Sequence, residues 1–596
     1  MEKAKQVEYV LSDHQDVCLS LSACLEAKKP YHGMYIKNGK VMLANLVEKI
    51  EIKDKVYKLA FLSTSVQNVA CEEYITTIDL ENNKFEYDIG SVAYTKQLAF
   101  KEQGELLGIS YHMVNKEDKS VKFKIIPMVT YRDLYSMKTS NMLRFNQREI
   151  AQGTVISLSV MDQANIIMKS EELDWTREQK NVTNVKHELV GKDGVKEVFT
   201  EDLVIPGEFE IMLKAKEEKD FVLWVGSNDF SLSDLSIREV QKEAMIHKEK
   251  VSFKIDENYV ELQDLAKSMD SLYLKKYLIP SLPYRRGFDA EYDLLVSQEN
   301  INSILKDIQD LINIVKAIDG AYLTFGKVIE AREALLHIKR YIKALDTIQE
   351  EKARVQKELV LLKLWYVESV NRLIQQDNTV DLFLDFVKDI VYFMLSDENS
   401  EKYLRDIETV ALTYNAVRVY ESLLNKVGLE DVLTYKGAMV VQNLIEEKFW
   451  CEDKRVMRKQ IDDMNPVASI EMIYTLSLSY PCIVGNMPVK VLDTIFKELY
   501  TPYGLREVSK NSIQNTGLIY PKYMAHFVKA NLRQNGVTRA SQKIAYNLVK
   551  ELIQDIGKYT NAGIKEVYHE KGILIDSIGY DLLTNAEVIR LYDMLT

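Results

Sequence analysis

The chain has 596 residues, 46% hydrophobic and 28% charged, an ordinary soluble composition spread over more residues than one apolar core organises, so two or three domains are expected. A formal net charge of −12 argues against a nucleic-acid binder, because no surplus of Lys and Arg exists to displace counterions from phosphates. No apolar run reaches the roughly 18 residues a membrane helix needs, so no membrane partner is expected.

In chain order, "LSAC" at 21–24 has the form of a lipoprotein cleavage site, but Asp13, His14 and Asp16 break the apolar core a signal segment requires. The five cysteines, Cys18, Cys24, Cys71, Cys451 and Cys482, are scattered and form no C-x-x-C pair. They read as reduced packing residues of a cytoplasmic protein. The segments "KFEYDIGSVAYTKQLAF" (84–100), "LLGISYHMVN" (106–115) and "VKFKIIPMVTYRD" (121–133) carry apolar residues at period two, with short polar turns between them. "FEIMLKAKEEKDFVLWVGS" (209–227) adds two more strands. Residues 1–250 are therefore expected to form an antiparallel β-sandwich.

The period then changes. "NSILKDIQDLINIVKAI" (302–318), "VIEAREALLHIKRYIKALDTI" (328–348) and "ELVLLKLWYVESVNRLIQQ" (358–376) place apolar residues at i, i+3, i+4 and i+7. Turn signals such as "LNKVGLED" and "LRQNGVTRA" recur along residues 251–596, leaving space for about a dozen helices of ordinary length. Paired helical hairpins in that number predict a toroid or a solenoid, and the lack of a fixed repeat weakens the solenoid. The junction at 236–269 is charged and helical at both ends, which predicts a docked helix and not a flexible tether.

Several stretches resemble landmarks of bacterial and archaeal glycogen debranching enzymes of the amylo-α-1,6-glucosidase type: "KKPYHGMYI" (28–36), "PMVTYRDLYSM" (127–137), "TPYGLREVS" (501–509) and "GLIYPKYMAHFVKANLRQNG" (517–536). Weaker echoes lie at "IETVALTYNAVRVYESLLNKVG" (407–428) and "EEKFW" (446–450). The resemblance implies an N-terminal β-sandwich followed by an (α/α)6 barrel. It also implies inverting hydrolysis of α-1,6-linked glucose, for which an acid and a base stand roughly 6.5–9.5 Å apart.

By the same resemblance Gly563, Ile564 and Glu566 match the motif of the base, making Glu566 the catalytic candidate. The family's Trp-Met-Asp-Ala-Lys acid loop has no counterpart, because "DIVYFML" runs through "SDENSEKYLRD" directly into 407–420. Asp397 and Glu398 occupy that shortened stretch, expected to be a turn, among solvated neighbours that give no desolvation to raise a pKa. The sugar-gripping Trp-Gly-Arg-Asp has no match near "SLPYRRGFDAEYD" (281–293) or at 306–320, and Leu361 stands near a family aspartate. Tyr503, Arg506, Tyr520 and His569 are the candidate substrate-binding positions. For each a structural role competes: Tyr503 and Arg506 flank turn formers, Tyr520 fits a core, and His569 with Glu570 and Asp576 lacks metal-ligand spacing. His32 reads as a turn-fixing histidine. No cofactor and no metal are expected. The expected role is a divergent debranching-type protein of α-glucan metabolism that binds an α-glucan or maltooligosaccharide, with a protein partner further expected and glucosidase chemistry impaired; an active inverting glucosidase with Glu566 as base and a recruited acid is the alternative.

Overall fold

The strands Lys40–Ile52 and Val121–Asp133 are buried along nearly their whole length, and that sets the architecture. In a computed structural model, which describes residues 7–250 and 301–596 with parts of 262–278, apart from short internal stretches such as 14–16, 64–67, 70–73, 347–352, 561–562 and 577–580, the two strands lie side by side in the first of two antiparallel sheets. That sheet runs in the order Glu8–Ser12, Val17–Ser22, Gly33–Lys37, Lys40–Ile52, Val121–Asp133, Lys196–Leu213, Asp174–Val190. The second sheet carries Val92–Lys101, Leu106–Asn115 and Glu218–Gly226 at its centre.

Phe123, Ile125 and Leu46 face the second sheet and close the sandwich core. Ile126, Met128, Val41 and Val47 face the other way, into the core of the helical domain. A strand buried on both faces needs a continuous apolar run, which "KVMLANLV" supplies. Inside the sandwich Glu48 is held by Lys96 Nζ at 2.6 Å and by the hydroxyls of Tyr111 at 2.6 Å and Tyr94 at 3.2 Å, so its burial leaves no bare charge. The expected strands at 106–115 and 121–133 have the bounds read from the sequence, and 84–100 divides into Lys84–Asp88 and Val92–Lys101.

The helix α1 (Ile237–Lys250) packs on the second sheet; residues 251–261 and the stretch 281–293, where the sugar-gripping motif finds no match, lie outside the described residues. Then follow α2 (Ile301–Ala321), α3 (Val328–Leu345), α4 (Ala353–Ile374), α5 (Leu384–Leu395), α6 (Asp397–Tyr403), α7 (Ile407–Lys426) and α8 (Val432–Leu444). The domain ends with α9 (Tyr474–Ser477), α10 (Met487–Glu498), α11 (Met524–Asn535), α12 (Arg539–Ile553), α13 (Leu582–Ile589) and α14 (Leu591–Leu595). Gly428 and Gly536, both at positive φ, end α7 and α11 where the turn signals place them.

Helices α2, α4, α7, α9, α11 and α13 each pack on the next, and α13 returns to α2, so six inner helices close a ring. With the outer helices between them this is an (α/α)6 barrel. The seam is tight: a Cβ on Gly320 of α2 would stand 1.9 Å from the Ala586 carbonyl oxygen of α13. Only a glycine permits that approach.

The two domains meet through the loop that precedes α13. Glu8 pairs with Lys29, and its other oxygen lies 2.9 Å from His32 Nε2. The Glu8 backbone N–H donates to the Tyr559 carbonyl at 2.8 Å. Lys29 reaches Asp576 at 2.6 Å, and Asp576 accepts from the Val190 N–H at 2.8 Å. Burial works to raise the Glu8 carboxyl, but Lys29 and His32 outweigh it and hold it at about 2. His32 Nδ1 accepts from the Lys28 N–H at 3.1 Å, the turn-fixing role read from the sequence.

Candidate functional site

Helix direction explains where charge gathers in the barrel. The starts of α7, α9, α11 and α13 supply Glu408, Ile470 and Glu471, Lys522 to His526, and Leu583 to one end of the ring, where the positive ends of the helix dipoles converge. A cavity of about 180 Å³ opens there, and Tyr474, Tyr523 and His526 give it aromatic walls. Cations gather towards the other ends of the same helices. Arg372 and Arg590 both bind Asp319, at 3.1 and 2.9 Å, and Arg533 donates to the carbonyls of Leu476 and Ser479. Burial together with Arg372 brings Lys529 down to about 7.

Three carboxylates line the cavity, and their surroundings differ. Glu408 Oε1 accepts from Trp365 Nε1 at 2.9 Å and lies 3.4 Å from Lys316, whose ammonium stands 4.0 Å above the Trp365 ring. Burial lowers the Lys316 pKa against the pull of Glu408. Glu587 is gripped by Arg590 at 2.7 Å on both oxygens. Glu471 pairs through Oε1 with Lys459 at 2.6 Å, while its Oε2 is buried with no hydrogen-bond partner among the described residues. His526 Nδ1 meets Ser477 Oγ at 2.8 Å, and burial together with Arg590 drives its pKa well below the usual value, so the imidazole is neutral.

A second cavity, about 160 Å³, adjoins the first and shares Leu361, Glu408 and Glu471 with it. Lys357, Asp406, Lys459 and Gln460 belong to its lining alone. Leu361, the residue placed near a family aspartate, thus faces both spaces with a methyl-tipped side chain where a sugar hydroxyl would meet an acceptor.

The residues singled out from the sequence come together elsewhere, on a small antiparallel sheet of Tyr500–Thr501, Gly504–Arg506, Leu518–Tyr520 and Tyr568–His569. Tyr503 stacks on Tyr568 with ring centroids 5.1 Å apart. Arg506 Nε donates to Glu570 at 3.2 Å and Nη1 to the Tyr500 carbonyl at 3.3 Å, so it pairs within the fold. Tyr520 is buried between Lys192 and Lys522, and burial raises its pKa. His569 abuts Gly517, whose φ of +77° and missing side chain admit the imidazole. None of the four lines either cavity.

Glu566 is half-buried in the loop beside this sheet, 3.2 Å from Lys192 of a β-domain turn, and also outside both linings. Its charge is felt at Asp581, the N-cap of α13, where burial and then Glu566 raise the carboxyl pKa. Asp397 and Glu398 are exposed, and their segment is not the turn expected but the first turn of α6. The sequence reading missed Glu408, Glu471 and Lys316. Glu408 carried a signal, a carboxylate one residue into a strongly patterned helix after an Asp cap; Glu471, in a short 3-10 turn, carried none.

Comparison with known proteins agrees with this arrangement at both ends of the chain. A family model described as glycogen debranching enzyme N terminal matches residues 20–220, and one described as amylo-alpha-1,6-glucosidase matches residues 402–525. No curated protein matches in sequence. Among solved structures, a bacterial glucoamylase complexed with acarbose is 11% identical, with a TM-score of 0.57 over 99% of this chain and 94% of that one. A proposed kojibiose phosphorylase from the human microbiome is 9% identical over 98% of this chain and 82% of that one, with a TM-score of 0.44. The glucoamylase supports the fold, and the two family models, in the order of the two domains, support the lineage. The chain is a divergent member of the glycogen debranching enzyme family.

Proposed function

We propose that this glycoside-hydrolase-like protein of α-glucan metabolism binds a glucosyl end of an α-glucan or maltooligosaccharide at the barrel cavity and does not hydrolyse it by the family's usual pair. The observation that carries the reading is the separation of binding space from catalytic candidates. The cavity has aromatic walls and polar groups suited to a sugar, while Glu566, Asp397 and Glu398 all stand outside its lining. Each of its own three carboxylates is held by a cation, Glu408 by Lys316, Glu471 by Lys459 and Glu587 by Arg590. The acarbose in the similar glucoamylase is consistent with an oligosaccharide ligand. Such a protein acts as a glucan binder or as a regulatory partner of an active relative in the cytoplasm, the compartment to which its scattered cysteines, with no C-x-x-C pair, are suited. Among the described residues no helix is long and apolar enough to cross a membrane.

A second reading, inverting hydrolysis with Glu566 as base and a recruited acid, is favoured by Asp581. Its raised pKa beside Glu566 is the pattern by which two carboxyls divide acid and base roles. One experiment separates the two. Short branched maltooligosaccharides are titrated into the full chain by calorimetry while glucose release is followed. Binding without release, unchanged in Glu566→Gln, is the expected result. Glucose release abolished by Glu566→Gln and by Asp581→Asn would establish the hydrolase instead.

A further inference from the structure

Deeper than the mouth, the inner helices carry a second layer of charge. On α11, Lys529 stands one turn beyond His526 and Arg533 one turn beyond Lys529, so the three share a helix face. The carboxylates around them are already engaged. Glu368 accepts from Arg372 Nε at 2.9 Å, from Asn415 Nδ2 at 3.0 Å and from Ser479 Oγ at 3.1 Å. Asp319 pairs with Arg372 and Arg590, and Glu587 with Arg590. Lys529 is left over: among the described residues its ammonium has neither a hydrogen bond nor an ion pair. The charges that act on it most strongly are Arg372, Glu368, Arg590 and Arg533, three cations against one carboxylate. With Lys529 protonated, the layer sets Arg372, Arg590, Lys529 and Arg533 against Glu368, Asp319 and Glu587, one positive charge in excess.

Lys529 and Arg533 are both within reach of solvent. Lys529 is half-buried and lines neither cavity, and Arg533 is exposed at the end of the ring away from the mouth. Arg533 Nη1 donates to the carbonyls of Leu476 and Leu478, and Nη2 to that of Ser479 at 3.1 Å. This leaves Nε–H and the second Nη2 hydrogen side by side on the other edge of the guanidinium. Such an edge matches two oxygens of a single oxyanion, which a lysine in its place would meet only as a point charge.

We propose that Lys529 and Arg533 bind a small inorganic oxyanion of the sulfate or phosphate kind at the end of the barrel opposite the mouth, Arg533 through its free edge and Lys529 through its ammonium. Arg372 and Arg590, both buried, contribute field and not contact. The anion is no reactant; it supplies the negative charge that the three carboxylates leave short. Without it, burial and Arg372 hold Lys529 at about 7, so binding draws a proton onto the amine. The site is independent of the glucan reading, which survives its failure.

The test is calorimetric titration of sodium sulfate into the full chain at about pH 6.5 and about pH 8.5, with ionic strength held by sodium chloride. Sulfate keeps its charge across that range, so affinity should fall ten-fold or more only because Lys529 loses its proton. Lys529→Met should abolish binding, with an equal or higher melting temperature in sulfate-free buffer, since a desolvated amine is removed. Arg533→Lys keeps the charge without the fork and should weaken sulfate about ten-fold. Sulfate should also slow acetylation of Lys529 by acetic anhydride, read by peptide mass spectrometry, far more than chloride at equal ionic strength. Phenyl phosphate, with the same oxygens on a larger body, should bind at least ten-fold more weakly than inorganic phosphate. No sulfate binding, or binding indifferent to pH or to Lys529→Met, overturns the site. Protection by chloride equal to that by sulfate, or full affinity in Arg533→Lys, overturns its preference for an oxyanion. Equal binding of phenyl phosphate and inorganic phosphate overturns the assignment to a free ion.

Discussion

Replacing Glu8 by Gln should loosen the loop that carries Glu566, more than 500 residues away in the sequence. Glu8 is buried, paired with Lys29 and His32, and joined through Tyr559 and Lys29–Asp576 to both ends of that loop. Its carboxyl falls from 4.5 to about 2 in the folded chain, a shift that corresponds to about 3 kcal/mol of stability at neutral pH. Because the folded pKa is the lower one, this stability is complete above about pH 4.5 and drains away as pH falls towards 2. The variant should therefore lose about 3 kcal/mol at pH 7 and about 2 kcal/mol at pH 3.5 relative to the parent. A chain of two domains is not a two-state unfolder, so the informative assay is local. Hydrogen exchange at the backbone amides of residues 564–568 should accelerate about 100-fold at pH 7, in proportion to the lost free energy. If those amides exchange as in the parent, or if the loss at pH 3.5 equals that at pH 7, the coupling of the β-domain to this loop through Glu8 is refuted.

Two further outcomes can be checked by thermal denaturation. Gly320→Ala gains about 1 kcal/mol in an ordinary helix, but here the methyl group meets the Ala586 carbonyl, so the sign reverses and a loss of about 1–3 kcal/mol is expected; an unchanged or higher melting temperature contradicts the tight seam. Lys565 lies buried against Tyr559, and burial together with Lys29 brings its pKa down to about 8. A folded lysine pKa below the unfolded one means that the charged form is penalised below about pH 8 and the penalty is relieved as pH rises through 10.5. Lys565→Met should thus stabilise the protein by about 3 kcal/mol at pH 7 and by nothing measurable above pH 10.5, and an equal gain at both would show packing, not charge, to be responsible.

The architecture was legible where the periodicity was long. "LLGISYHMVN" alternates without a break over a whole strand, and α2 to α4 each keep one apolar face for several turns, so both domain types and the change between them could be read. The closure of six inner helices could not, because it depends on which helices touch across the ring, and only the family resemblance supplied it. Strands of two or three residues, such as Gly504–Arg506 and Tyr568–His569, are too short to show a period. That is why nothing in the sequence joins Tyr503, Arg506, Tyr520 and His569 into one sheet. The cavity carboxylates escaped for a related reason. A Glu in the first turn of a helix, as Glu408 is, reads as a response to the helix dipole, and nothing local distinguishes one that also meets the starts of three other inner helices at a common mouth.

The seam between Gly320 and Ala586 governs how the barrel is made. A helix synthesised at the beginning of the domain waits for a partner that emerges only with its last residues, so every shorter nascent chain holds an open rim of apolar side chains. Such non-local closure is slow and exposes sticky surface until completed. Removing the helix Leu582–Ile589 would therefore leave the ring unsealed and the mouth without the wall that Leu583 and Glu587 supply.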